Sequence, residues 1–150
     1  MRTYYICKYY FNASHSFQNN KELAHSHTFT IVLYVGRRNI QDETDVKIVD
    51  QQVRQYLERY EGSYLNELDE FIGTDASIET IGDIFYEALK VLLRGTVFSL
   101  YQLDISDNPL SVYQVADRIL LPIQNMDNSK ENYEAILEQR KRLNEIQKRG

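Results

Sequence analysis

Cysteine, proline and tryptophan are scarce in this sequence of 150 residues, which has one Cys, two Pro and no Trp. The single cysteine, Cys7, has no partner for an internal disulfide, and it excludes a cysteine-rich zinc site. It also favours a reducing compartment, so we expect a cytoplasmic protein. Apolar runs are far shorter than the roughly 20 residues that span a bilayer, so we expect no membrane association.

Positively charged residues are fewer than negatively charged ones, with 17 Lys and Arg against 22 Asp and Glu and a net charge of −5. Nucleic-acid binding depends on clustered cations that contact phosphates, so we expect no nucleic-acid partner. Core-forming residues, in contrast, are abundant. The chain is 43% hydrophobic and contains 12 Tyr and 6 Phe, which predicts a folded domain rather than a disordered chain.

A change in character near residue 123 divides the chain. We predict one folded domain over residues 1–123, then a linker and a C-terminal amphipathic helix within 124–150. The helix is expected at residues 131–149, where apolar residues recur at helical spacing: Tyr133, Ile136, Leu137, Leu143 and Ile146. Such a stripe packs either against a partner surface or back onto its own domain, and both alternatives stay open.

Hydrophobic periodicity within the first 123 residues predicts five strands and two helices. Helices are expected from Asp50, as an N-cap residue, to Gly62, and from Ser77 to Gly95. Alternation of period two predicts strands at residues 3–11, 46–49, 97–105 and 111–115, and a further strand that follows the polar loop 12–22 and ends near Gly36. The order β-β-β-α-α-β-β indicates an α+β domain with two helices on one face of a largely antiparallel sheet.

All three histidines of the chain, His15, His25 and His27, lie within thirteen residues. On an extended strand, His25 and His27 project from the same face, which they share with Phe29. A third imidazole from a neighbouring strand end completes a three-histidine set, which is typical of a catalytic Zn²⁺ site with one open position. The alternative is that these are polar loop residues that bind no metal.

The residues around these histidines resemble a known motif. Residues 11–15 read F-N-A-S-H and residues 24–29 read A-H-S-H-T-F. This pattern resembles the zinc motif of the 6-pyruvoyltetrahydropterin synthase and 6-carboxytetrahydropterin synthase family, F-x-A-x-H followed by H-G-H-(N/S)-(Y/F). The likeness extends to about residue 116: residues 46–50 resemble the family's apolar strand ending in Asp, and residues 64–66 and 77–79 resemble two further segments.

The resemblance implies the tunnelling fold (T-fold), here an antiparallel four-stranded sheet with two helices on one face, plus the C-terminal amphipathic helix. It implies a homo-oligomer, a trimer or hexamer, in which sheets of several subunits join into a barrel. It also implies Zn²⁺ on His15, His25 and His27, and a pterin-like small molecule at a subunit interface. In the family, a cysteine and a His-Asp pair shuttle protons and a glutamate holds the pterin ring.

The sequence departs from the family at the proton-transfer and pterin-binding positions. The family cysteine falls on Lys21, the Asp-His pair falls on Glu61 and Gly62, and the glutamate falls on Ile105. Asp104, beside Ile105, is expected to point to the opposite face of its strand. These departures put ordinary synthase activity in doubt.

Replacement residues for these roles can be named from the sequence. Lys21 and Glu61, with Glu22, are candidates for proton transfer, although each also fits a solvated surface charge. Ser77 and Glu79 match the family's helix start and are candidates for substrate binding. Their alternative roles are a helix N-cap and a first-turn acid.

Two functions are compatible with these residues. The first is a divergent zinc-dependent lyase of the 6-pyruvoyl/6-carboxytetrahydropterin synthase type with rearranged proton carriers. The second is a non-catalytic descendant, a metal-containing oligomeric protein for binding or assembly, with a protein partner bound through the C-terminal helix.

Overall fold

The computed structural model describes residues 3–118, 137, 138 and 140–142. Residues 3–118 belong to one compact unit, and the helical residues at 137, 138 and 140–142 belong to a second. Most of the predicted C-terminal helix at 131–149 lies outside the described residues. The domain boundary at residues 123 and 124 stays a prediction.

A long antiparallel hairpin organises the first unit. Strand β1 (Tyr5–His15) pairs with β2 (His25–Arg37) from Tyr5 opposite Val35 to His15 opposite His25. Two short 3₁₀ helices, Phe17–Asn19 and Lys21–Leu23, connect the strands. Alternating apolar residues set this register, because a slip by one residue would turn the buried side chains to the other face.

The sheet of the described unit has five strands in the order β3-β1-β2-β4-β5, where β3 is Ser63–Tyr64, β4 is Phe98–Asn108 and β5 is Ser111–Val115. Strand β3 runs parallel to β1, whereas the other pairs are antiparallel. The prediction of a four-stranded antiparallel sheet is therefore wrong. A strand of two residues is too short for alternation to reveal it.

Helix α1 (Lys47–Glu58) begins earlier than the sequence pattern predicts. The predicted strand at residues 46–49 and the predicted N-cap at Asp50 are both wrong. Val49, Val53 and Leu57 lie at helical spacing and are buried, so one continuous helix buries more apolar surface than a strand and a shorter helix. The side chain of Asp45 accepts a hydrogen bond from the Lys47 N–H at 2.9 Å.

Helix α2 (Ile78–Leu93) begins where its sequence indicates. Ser77 is the N-cap, and its Oγ accepts a hydrogen bond from the Thr80 N–H at 3.2 Å. This contact pairs one of the amide groups that a helix start leaves without an intrahelical partner. Helix α2 carries buried residues along its length, among them Ile81, Phe85 and Leu89.

Aromatic side chains from the sheet and both helices form one core. Phe11 and Phe29 stack across β1 and β2 with ring centroids 4.9 Å apart, and Phe85 of α2 lies 5.7 Å from Phe11. Tyr60, directly after α1, lies 4.7 Å from Phe85. The odd-numbered positions of β1 and β2 face this core, as alternation predicts. None of the described helices combines the length and hydrophobicity of a membrane span.

Hydrogen bonds of the Asn66 side chain connect the loop after β1 to the segment after β3. Its side chain accepts a hydrogen bond from the Ser16 N–H at 2.9 Å and donates one to the Ser16 carbonyl at 2.9 Å. Both residues are 2% exposed. Asn66 therefore satisfies both backbone groups of a residue that lies directly after His15.

Replacing Asn66 with alanine tests this contact. We expect Asn66→Ala to lower the free energy of unfolding by about 2–4 kcal/mol, because a buried N–H and a buried C=O lose their partners. Urea unfolding measures the difference. Asn39→Ala, at an exposed turn residue, is the control and should change stability by no more than about 0.5 kcal/mol. Equal effects of the two substitutions would contradict the role of Asn66.

Candidate metal centre

Two imidazoles converge at the end of the β1–β2 hairpin where the connection between the two strands begins. His15 is the last residue of β1, and His27 lies on β2 opposite Ala13. Their ring centroids are 5.0 Å apart, and both side chains are partly buried. The Phe29 ring packs edge-on against both imidazoles, at 5.4 and 6.0 Å. The imidazole pair therefore packs on the apolar ring of Phe29, which is part of the hydrophobic core.

The backbone before helix α2 orients His15. Its Nδ1 lies 2.7 Å from the carbonyl oxygen of Ala76. Because a carbonyl can only accept, this Nδ1 carries a proton, and in the neutral imidazole Nε2 has the lone pair. Metal-binding histidines are usually held in this way, with the second ring nitrogen donating to a carbonyl or carboxylate.

Ala76 adopts an unusual backbone conformation to make this contact. It is fully buried and has a φ of 47°, in the left-handed region that non-glycine residues rarely occupy. Its N–H donates to Thr74 Oγ1 at 3.1 Å, and Ser77 follows as the cap of α2. This backbone conformation costs roughly 1–2 kcal/mol. The start of α2 on one side and the hydrogen bond to Thr74 on the other hold Ala76 in it.

A carboxylate that the sequence motif does not include lies beside the two imidazoles. Asp107 Oδ2 is 3.9 Å from His15 Nε2, and Asp107 Oδ1 accepts a hydrogen bond from Asn108 Nδ2 at 2.8 Å. One ligand atom from each of His15, His27 and Asp107 lies within 4.8 Å of the others. The Asp-Asn-Pro sequence at this position indicates a turn. Strand β4 continues to Asn108 and the turn follows at residues 109 and 110, so the partly buried Asp107 is still part of the strand.

The third histidine lies beside this cluster. His25 is exposed at the first position of β2, opposite His15, and its ring centroid is 6.4 Å from that of His27. The structure thus brings His15 and His27 together and places His25 at the rim. The three-histidine ligand set stays a prediction.

Lys21 participates in surface contacts. Its Nζ is 3.6 Å from Glu67 Oε2 and 5.4 Å from the centroid of the Tyr64 ring. The Lys21 side chain is 73% exposed. These contacts favour a structural role in the connection between β1 and β2.

The Glu61 side chain contacts Asn12, on the face of β1 opposite to the one that carries His15. Its carboxylate accepts hydrogen bonds from the Asn12 N–H at 2.9 Å and from Asn12 Nδ2 at 3.0 Å. These bonds hold the pKa of the Glu61 carboxyl below its usual range. Asn12 is exposed, and by alternation its side chain projects away from the face that carries His15.

Ser77 and Glu79 lie directly after Ala76, at the start of α2. Ser77 is occupied as the helix cap, and Glu79 is exposed in the first turn. Their backbone is therefore adjacent to the residue that orients His15. Whether either side chain binds a substrate stays a prediction.

The sequence resemblance places the family glutamate at an apolar position of β4. Ile105 is fully buried in the core. Asp104 points to the other face, where it accepts hydrogen bonds from Tyr34 at 3.0 Å and Gln102 at 2.8 Å. Burial and the Asp104 charge raise the pKa of Tyr34 to about 12.

Cys7 packs partly buried against the core. Burial raises the pKa of its thiol, which keeps it protonated near neutral pH.

The arrangement defines an α+β domain of the T-fold class, with imidazoles at the loop end of its central hairpin. A family model described as 6-pyruvoyl tetrahydropterin synthase matches residues 5–118. The chain therefore belongs to the 6-pyruvoyl tetrahydropterin synthase family. A comparison with the curated proteins finds no match.

Solved structures show the same fold at low sequence identity. The chain is similar to the 6-pyruvoyl tetrahydropterin synthase of Caenorhabditis elegans, with 17% identity, a TM-score of 0.65 and coverage of 79% of this chain and 99% of that one. An uncharacterized protein from Wolinella succinogenes gives 11% identity and a TM-score of 0.63 over the same shares. A Plasmodium vivax 6-pyruvoyltetrahydropterin synthase with a catalytic residue, a glutamate, replaced by alanine gives 16% and 0.59, again over 79% and 99%.

The Glu61 contacts predict a pH-dependent effect of Glu61→Gln. Because its pKa is lowered in the folded state, the contribution of Glu61 to stability is fully present above its unfolded pKa of about 4.3 and is lost as pH falls through the folded value. We expect Glu61→Gln to lower the urea midpoint at pH 7 and to change it much less at pH 3. Glu58→Gln, an exposed neighbour, is the control. A loss of the same size at both pH values would contradict this assignment.

Proposed function

We propose that this chain is a divergent, metal-dependent protein of the 6-pyruvoyl/6-carboxytetrahydropterin synthase type that binds Zn²⁺ through its histidines. The observation that carries the proposal is the contact between the Ala76 carbonyl and His15 Nδ1, 2.7 Å long. It leaves the lone pair of His15 Nε2 available beside His27. A buried backbone group in a strained conformation thus prepares an imidazole for a ligand.

The donor chemistry fits a divalent transition metal. Neutral imidazole nitrogens and a carboxylate oxygen are donors that Zn²⁺ accepts, in sites that leave a position open for substrate. His15 and His27, with His25 at the rim, are the residues that would hold the ion. When bound, such an ion supplies Lewis-acid polarisation of a substrate oxygen. Phe29 beneath the pair excludes water from one side of the site.

A pterin-like ligand is the substrate class that family membership favours. Ile105 offers no carboxylate to a pterin ring, so the ring must be held by other groups. Ser77 and Glu79 are the candidates on this chain, because the start of α2 adjoins His15 through Ala76. We also propose that the chain forms a homo-oligomer, as T-fold proteins do when their sheets join into barrels.

Proton transfer in this chain requires a group other than the cysteine and the His-Asp pair of the family pattern. Lys21 and Glu61 make contacts elsewhere on the surface. A glutamate is a catalytic residue in the Plasmodium vivax protein, which supports a carboxylate in this role. Glu22 is exposed and lies three residues before His25, and it is our candidate for a proton carrier.

A second function is favoured by the same replacements. If no group near His15 and His27 transfers protons, the chain is a non-catalytic family member that uses its metal for binding or assembly. The engagement of Lys21 with Glu67 and of Glu61 with Asn12 supports this alternative. Under either function, the metal site is expected to be present.

Metal analysis of the purified protein tests the shared part of both functions. We expect about one zinc ion per chain in the wild type and loss of most of it in His15→Ala and His27→Ala, because each removes a donor. Ser26→Ala is the matched control, since Ser26 lies between two histidines on the opposite face of β2. A wild type that takes up no zinc would refute the proposal.

Turnover separates the two functions. Zinc-loaded wild type is incubated with dihydroneopterin triphosphate beside His27→Ala and Glu22→Gln. Product formation above the His27→Ala background supports the lyase, and a loss in Glu22→Gln supports Glu22 as proton carrier. No turnover by a fully zinc-loaded wild type favours the binding or assembly function.

A further inference from the structure

We propose that Asp75 is a positioning residue that acts through Gln18. It fixes the connection between β1 and β2, residues 16–24, and with it the position of Glu22 beside the imidazoles. The catalytic consequence of this inference rests on the proposed function, in which Glu22 is the candidate proton carrier. The placement of the connection depends only on contacts of the protein itself.

The connection makes its polar contacts on one side only, with residues 64–75. The Ser16 backbone is bound by the Asn66 side chain, as described above. Two residues farther on, the Gln18 N–H donates a hydrogen bond to Asp75 Oδ1 at 2.8 Å. Among the described residues, no hydrogen bond or ion pair joins the connection to β4 or β5. The position of the connection therefore depends on a few contacts with a single segment.

Asp75 holds the middle of the connection. Gln18 and Asn19 both have a φ of 54°, in the left-handed region that non-glycine residues rarely occupy. Such a conformation persists only where surrounding contacts hold it, and the hydrogen bond from Gln18 to Asp75 is one of these contacts. The ion pair of Lys21 with Glu67 is longer, at 3.6 Å, and its side chains are 73% and 59% exposed, so it contributes little.

Hydrogen bonds inside the connection link this anchor to Glu22. The Asn20 N–H donates to the Phe17 carbonyl at 3.3 Å, and the Leu23 N–H donates to the Asn20 carbonyl at 2.9 Å. The Asn20 side chain also accepts a hydrogen bond from the Glu22 N–H at 3.2 Å. The two 3₁₀ helices are thus joined through Asn20, so a contact that fixes Gln18 in the first also fixes Glu22 in the second.

The turn before α2 holds the connection and the imidazole of His15 together. Asp75 binds the backbone of Gln18, and the next residue, Ala76, binds His15 Nδ1. Thr74 stabilises this turn, because its Oγ1 accepts a hydrogen bond from the Ala76 N–H at 3.1 Å. One short turn therefore sets both the orientation of an imidazole and the position of the chain that follows it.

Asp75 itself lies outside the reacting centre. Its Oδ1 accepts the Gln18 N–H, and it is not among the residues whose ligand atoms lie close together at the histidines. Substitution of Asp75 should therefore leave the metal content unchanged. A proton carrier works only when it is held within hydrogen-bond reach of the reacting atom. A loosened connection should therefore slow proton transfer more than it weakens substrate binding.

Hydrogen–deuterium exchange of the full chain, with and without added zinc, tests the placement directly. We expect Asp75→Ala to speed amide exchange in residues 17–24 by about 3- to 10-fold, as loss of one exposed hydrogen bond should. Asp75→Asn keeps an oxygen that accepts the Gln18 N–H and should exchange like the wild type. Glu67→Ala removes the exposed ion pair of the connection and is the matched control, with an expected change below about twofold.

Turnover of dihydroneopterin triphosphate by the zinc-loaded protein provides a second readout. Zinc content should be equal in the wild type, Asp75→Ala and Asp75→Asn. Under the lyase function, kcat of Asp75→Ala should fall about 3- to 10-fold with little change in KM, because the loosened group acts in the transition state. Asp75→Asn should recover the wild-type kcat.

The outcomes separate this inference from the proposed function. A wild type that binds no zinc refutes the proposed function, whereas the exchange measurement still decides the role of Asp75. Unchanged exchange in folded Asp75→Ala, or equal acceleration in Glu67→Ala, overturns the inference. If urea unfolding shows that Asp75→Ala is unfolded, Asp75→Ser, which also lacks the carboxylate, takes its place. Unfolding of both variants overturns a role confined to the connection.

Discussion

The hydrogen bond between the Ala76 carbonyl and His15 Nδ1 joins the end of β1 to the start of α2, and the site depends on it. A strand end is ordinarily free to splay, and an imidazole at that position is free to rotate. Here both elements are held in place by the strained backbone of Ala76, the cap at Ser77 and the hydrogen bonds of Asn66 to Ser16. The fold thus selects one tautomer and one orientation of His15 before any ligand binds.

Much of this arrangement could be predicted from the sequence, because it follows from local periodicity. Alternation predicts the hairpin and the shared face of His27 and Phe29, and the cap at Ser77 predicts the start of α2. The strand prediction at residues 46–49 is wrong because four apolar-rich residues fit either a strand or one helical turn. Strand β3 is too short to give any periodic signal, so the five-stranded sheet could not be anticipated.

The candidate site was only partly predictable for a different reason. Asp107 approaches His15 from far along the chain, and only the register of β4 against β2 places it there. Asn108 and the proline after it indicate a turn, so the sequence does not reveal that β4 extends past Ile105. The contact of His15 with Ala76 involves a backbone group, which has no signature in the side-chain sequence.

The sequence resemblance places three of the family's functional positions on Lys21, Glu61 and Ile105, and the structure shows the contacts that these residues make. Lys21 and Glu61 now stabilise the connections around β1, and Ile105 adds to the core. The imidazoles of His15 and His27 lie together, whereas Lys21 and Glu61 make contacts elsewhere.

X-ray absorption at the zinc edge of the loaded protein is the most direct test of a metal centre built on these imidazoles. We expect only nitrogen and oxygen neighbours at about 2.0–2.2 Å, with the outer-shell scattering of imidazole rings. A sulfur neighbour at about 2.3 Å, which would place the ion on Cys7, or a spectrum without imidazole scattering, would contradict such a centre.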